Sequence, residues 1–158
     1  MTLPFGSAGF LTATIMAGEK EGMMKILLVD HDKIFLQTLK ENLEQTLDAD
    51  SRTKGKTEIL VAYNGKDGQK MFGEHHPDVV ISAIMLPVCN GWEMMRNIRA
   101  MEAGNGGTRC LAVTITAIGP NLNEITSPLY GFDDFVDKPI CGTEVTWLAE
   151  KIRVKMFQ

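Results

Sequence analysis

Five short apolar runs set the frame of this chain. They are KILLVD (Lys25–Asp30), EILVA (Glu58–Ala62), DVVISA (Asp78–Ala83), CLAVTIT (Cys110–Thr116) and FDDFV (Phe132–Val136). KILLVD, DVVISA and CLAVTIT are read as buried strands, as in a parallel sheet covered by helices, and the other two as short strands beside them. The stretches between them carry a helical period. Phe35, Leu36, Leu39, Leu43 and Leu47 fall on one face of a helix from about Lys33 to Leu47. Gly65–Glu74 reads as a short helix stopped before Pro77, and Trp92, Met95, Ile98 and Met101 mark a third. Val145, Leu148, Ala149, Ile152 and Met156 form the core face of the last. Between the fourth and fifth strands, Gly119–Tyr130 should hold a helix, short or distorted because Pro128 would break it. Asp48–Lys56 and Gly104–Gly107 read as polar or flexible connections.

Alternating strands and helices imply a doubly wound parallel α/β sheet. At 158 residues, one such domain with a full core fits. Residues 1–22 have no strong period and read as a flexible N-terminal extension ahead of a domain spanning 23–158, with nothing remaining for an output domain. No Lys or Arg precedes Lys20, so the extension lacks the basic start of a signal peptide. No apolar run is long enough to span a membrane. A net charge of −4 argues against a large nucleic-acid footprint. Cys89, Cys110 and Cys141 are widely spaced and odd in number, which reads as free thiols in a reducing cytoplasm.

In sheets of this class the working crevice lies at the carboxyl ends of the strands. Asp30, Ala83, Thr116 and Lys138 stand at or just beyond four of those ends. Singly each is weak: a strand-ending Asp often caps a helix, a Thr often only packs, and Lys-Pro is common in turns. An acid, a hydroxyl and a lysine in order at one rim look like a phosphate and cation site.

With LLVD, PDVVISAIMLP, NGWE, TITA and DDFVDKP in sequence, the chain from Lys25 to about Lys155 resembles the receiver domains of two-component (phosphorelay) signalling, the family of the chemotaxis regulator CheY. The resemblance implies a flavodoxin-like sheet in the order 2-1-3-4-5. It also implies roles. Asp30 matches the first of two acids that hold magnesium, and His31 sits where the second is usual. Ala83 sits where the phosphoacceptor Asp is usual. Thr116 matches the hydroxyl that bonds the phosphoryl oxygens, Lys138 the lysine that pairs with them, and Phe135 the aromatic switch residue.

Phosphorylation of a receiver is attack by a carboxylate oxygen on phosphorus. Alanine has no nucleophile. The neighbouring Ser82 should point to the opposite face of its strand. With His31 and Ala83 in place of two acids, magnesium binding is weak at best, even with Asp32 as a substitute and the Met85 carbonyl as an added ligand. Relief of acid–acid repulsion should let Lys138 bond directly to Asp30.

Three functions remain open at this point. The first is a stand-alone, non-enzymatic receiver-like module that acts without phosphorylation. It would bind a histidine kinase or a downstream effector through the Gly119–Tyr130 segment, the Phe132–Val136 strand and the Thr143–Met156 helix, as a monomer or weak homodimer. The second is a conventional phosphoacceptor regulator carrying an engineered Asp-to-Ala change at Ala83, although His31 is then a second departure left unexplained. The third is an unrelated small-ligand binder or enzyme on the same fold. Against it, no glycine-rich phosphate loop follows the first strand, where LLVDHDK stands.

Overall fold

The computed structural model describes residues 22–117, 119, 121 and 128–158. Its strands are β1 (Met24–Val29), β2 (Thr57–Ala62), β3 (Val79–Ser82), β4 (Leu111–Thr116) and β5 (Asp134–Asp137). Its helices among the described residues are α1 (Lys33–Asp48), α2 (Gly65–His75), α3 (Gly91–Asn105) and α4 (Gly142–Met156). The strands form one sheet in the order β2-β1-β3-β4-β5, with every neighbouring pair parallel. This is the doubly wound sheet expected from the alternation of strands and helices, in the flavodoxin-like order that the resemblance to receiver domains implies. Of residues 1–22, only Gly22 is among the described residues, and the expected Gly119–Tyr130 helix falls mostly outside them.

Two cores sandwich the sheet. Ile26 and Leu28 of β1, Val79 and Ile81 of β3, and Val113 and Ile115 of β4 meet Leu36, Leu39, Leu43 and Leu47 of α1 and Val145, Leu148, Ala149 and Ile152 of α4. The alternate residues Leu27, Val29, Val80 and Ala112 meet Phe72 of α2 and Met94, Met95 and Ile98 of α3. Both faces of the central strands are therefore apolar, which explains why the runs read as continuous.

Side-chain caps start the first three helices. Asp32 accepts from the Phe35 amide at 3.0 Å, Asn64 from Asp67 at 2.8 Å and Asn90 from Glu93 at 2.9 Å. At the far end of α3, Gly106 takes φ 63° and closes the helix left-handed.

The fifth strand lies later than its apolar run indicated, at Asp134–Asp137 instead of Phe132–Val136. Phe132 is buried in the core beneath α2 and α3. The Asp133 carboxylate accepts from the Ala112 amide at 2.9 Å and pairs with Arg99 and Arg109. Both residues anchor the entry to the strand. The Asp48–Lys56 connection is also more ordered than its polarity implied: Thr53 is fully buried, and its hydroxyl donates to the Leu47 carbonyl.

Candidate functional site

The carboxyl ends of β1, β3, β4 and β5 meet at one rim. The Asp30 amide donates to Ala62, the Ala83 amide to Val29, and the Lys138 amide to Thr116. These bonds carry the parallel ladders one step past the assigned strands and place Asp30, Ala83, Thr116 and Lys138 side by side. His31, Ala83, Met85, Thr116, Ala117 and Lys138 line a cleft of about 260 Å³ there. The peptide bond between Lys138 and Pro139 is cis.

Asp30 is 1% exposed, and both of its oxygens are engaged. Oδ2 accepts from Lys138 Nζ at 2.7 Å. Oδ1 accepts from the Asp32 amide at 3.0 Å and lies 3.4 Å from His31 Nδ1. The direct Lys138–Asp30 bond expected from the sequence is present. Lys138 Nζ also sits 4.2 Å from the centre of the Phe35 ring.

Of the other residues singled out from the sequence, Thr116 is buried at the rim and His31 points largely to solvent, with 61% of its side chain exposed. Met85 lies on the cleft wall and is exposed. Phe135 is half-buried on β5, in register with Thr114 and not with Thr116. Ser82 is buried, and its hydroxyl donates to the Ala83 carbonyl at 2.7 Å. Asp32 caps α1, with its Oδ1 accepting from the Phe35 amide.

The loop from β3 to α3 is shaped by two close approaches. A β-carbon on Gly91 would overlap the Ala83 carbonyl, and one on Gly65 would overlap the Cys89 carbonyl. Between them Val88 is left-handed, with φ 70°, an unfavourable setting for a β-branched residue.

The sequence profile of the response regulator receiver domain matches residues 26–150. The chain belongs to that family. Over 119 residues it is 32% identical to the virulence sensor protein BvgS of Bordetella bronchiseptica, covering 74% of this chain and 9% of BvgS. Over 120 residues it is 28% identical to the transcriptional regulatory protein AfsQ1 of Streptomyces coelicolor, covering 76% of this chain and 47% of AfsQ1. The chain thus spans less than half the length of either relative. A solved two-component response regulator from Clostridium difficile superposes with a TM-score of 0.69 at 26% identity, covering 86% of this chain and all of that one. This receiver domain is therefore a signalling module of the two-component class with the CheY-like fold. Among its described residues no helix is long and apolar enough to cross a membrane.

Receiver domains commonly hold magnesium at the acceptor site. The residues here do not meet that ion's needs. Magnesium demands several oxygen ligands in near-octahedral geometry. At this rim Asp30 has Lys138 on one oxygen and the Asp32 amide on the other. No group of three or more His, Cys, Asp or Glu among the described residues is placed to hold a metal ion.

In the sequence Phe35 reads only as a core residue of α1. Its signal is faint: an aromatic side chain beside the leucine stripe, in the first turn after the Asp32 cap. Nothing local says that it lies under a lysine more than a hundred positions away.

Proposed function

We propose that this receiver domain works as a pseudo-receiver, a non-enzymatic module that signals by binding a protein partner without being phosphorylated. The observation that carries the reading is Ala83. It occupies the end of β3 between Asp30 and Thr116, where a receiver needs its acceptor carboxylate, and it offers no nucleophile. Ser82 does not substitute, because its buried hydroxyl is spent on the Ala83 carbonyl. Asp30, Thr116 and Lys138 are then the remnant of a phosphate and cation site, with Phe135 as the aromatic position beside it. Magnesium binding is weak at best, with Asp30 and the Met85 carbonyl as its oxygen donors.

The partner is a histidine kinase or a downstream effector. The likeness to a sensor protein and to a transcriptional regulator supports both classes. The docking face comprises the Gly119–Tyr130 segment, β5 and α4, where Leu129 and Val154 are exposed. Three free cysteines support a cytoplasmic location.

A second reading has its own support. The cleft, Thr116 and Lys138 are in place, as expected of a conventional receiver altered at position 83, with His31 as a second departure. Intact mass after incubation with a small phosphodonor and magnesium separates the two. The pseudo-receiver reading expects no phosphoryl gain on this chain or on its Ala83→Asp variant. Labelling of Ala83→Asp alone shows that the rest of the site is competent and favours a conventional regulator altered at position 83. Labelling of the unaltered chain overturns the proposal, because another residue then accepts phosphate.

A further inference from the structure

The cation place of this crevice is filled by the protein itself. Lys138 Nζ lies 2.7 Å from Asp30 Oδ2, in a pair whose acid is 2% exposed and whose lysine is 26% exposed at the side chain. From the geometry we infer that the Lys138 ammonium is the resident cation of the site, that Phe35 positions it, and that the crevice therefore takes up no magnesium under cellular conditions. The inference rests on the reading above that Ala83 leaves the crevice with a single buried acid.

Charge and coordination both point this way. Lys138 already neutralises the one buried carboxylate, so a divalent ion entering the crevice would find that acid paired with an ammonium. Each Asp30 oxygen already accepts one hydrogen bond, Oδ2 from Lys138 and Oδ1 from the Asp32 amide, so a metal on this carboxylate would share it with the ammonium and be repelled by it. The Asp32 amide belongs to the turn that caps α1, so only the lysine can be moved without opening the helix end. Displacement would separate an ammonium from both of its partners in a partly desolvated crevice, because the Phe35 ring lies 4.2 Å from Nζ.

Phe35 is well fixed for this role. It sits on the first turn of α1, and it shares a small cavity wall with Ile140 and Val145, on the chain just beyond Lys138. Phe35 and Ile140 both pack against the core between α1 and α4. The ammonium is thus held from the α1 side by the ring and the carboxylate, and from the β5–α4 side by its own backbone. It ties together the start of α1 and the end of β5.

The test is proton–nitrogen NMR of the lysine ammonium groups on the full chain, through a magnesium titration into the millimolar range. The expected result is a Lys138 ammonium signal visible at neutral pH, because the paired group exchanges slowly, and unchanged by magnesium. Asp30→Asn should abolish it. Phe35→Leu, which keeps an apolar side chain against Ile140, should speed its exchange about fivefold, the loss of one cation–π contact. A Lys138 signal that is absent from the unaltered chain, or that magnesium removes, overturns the inference. So does a Phe35→Leu signal indistinguishable from the original. The outcome is separable from the phosphorylation test. Displacement by magnesium without phosphoryl gain sinks this inference and leaves the pseudo-receiver reading standing. Phosphoryl gain at another residue with the ammonium signal intact does the reverse.

Discussion

Arg99 of α3 donates to the Asp133 carboxylate at 2.9 Å and so joins a helix to the entry of a strand 34 residues away. The same guanidinium donates to the Gly131 and Cys110 carbonyls and to Glu102. Arg99 and Glu102 are 13% and 9% exposed at the side chain, so removing one partner strands charge in a poorly solvated place. Arg99→Met should cost about 3 kcal/mol of stability. A urea midpoint unchanged from the parent would rule that out.

Restoring an acid at position 83 should cost stability in the absence of magnesium. A second carboxylate beside Asp30 repels it and competes for the one lysine. Ala83→Asp is expected to lower stability by about 1 kcal/mol in chelator. Added magnesium should recover part of the loss, because the new acid gives the ion a second carboxylate. Melting curves with and without the ion test both statements, and a variant that melts higher in chelator contradicts the first.

Val88 should tolerate glycine to advantage. Its side chain is 79% exposed, so little packing is lost, while φ 70° is costly for a branched residue. Relief of about 1–2 kcal/mol of left-handed strain outweighs the added chain entropy of glycine. Val88→Gly is expected to stabilise by about 1 kcal/mol, read from thermal or urea unfolding.

The three thiols should react unequally. Burial pushes the Cys110 thiol up to about 12, and the nearby Arg99 only partly offsets it. Cys89 is also raised, first by burial and then by Glu93. Cys141 is exposed at the start of α4. Alkylation of the native chain at mildly alkaline pH should add one label, at Cys141, and three labels in denaturant. Peptide mass mapping that finds Cys110 labelled in the folded state would refute the assignment.

Acid sensitivity has one local source in the turn after α1. Hydrogen bonds from the Arg52 side chain and amide hold the Asp50 carboxyl at about 2, below its ordinary 3.8. Arg153 of α4 approaches it at 3.2 Å. Since the folded value is the lower one, the stabilisation is present above pH 3.8 and is lost as pH falls through 2. Asp50→Asn should flatten that part of the acid unfolding curve. An acid limb identical to the parent's would exclude the turn as a contributor.

Much of this fold is written locally. Continuous apolar runs such as KILLVD and CLAVTIT read as strands covered on both sides and the leucine spacing from Leu36 to Leu47 as one face of a helix, so a doubly wound sheet followed from the pattern, while its strand order followed from the resemblance to receiver domains. The residues at the strand ends, Asp30, Ala83, Thr116 and Lys138, were legible for the same reason. The tertiary structure decided which of them touch. Lys138 meets Asp30 across 108 positions and lies over Phe35, and Asp133 leaves the apolar run of β5 to bind Arg99. Periodicity reports which face of an element is buried, because burial repeats along the chain. An ion pair or a ring contact occurs once, at a place set by how two distant elements pack, and leaves no repeating trace in the sequence.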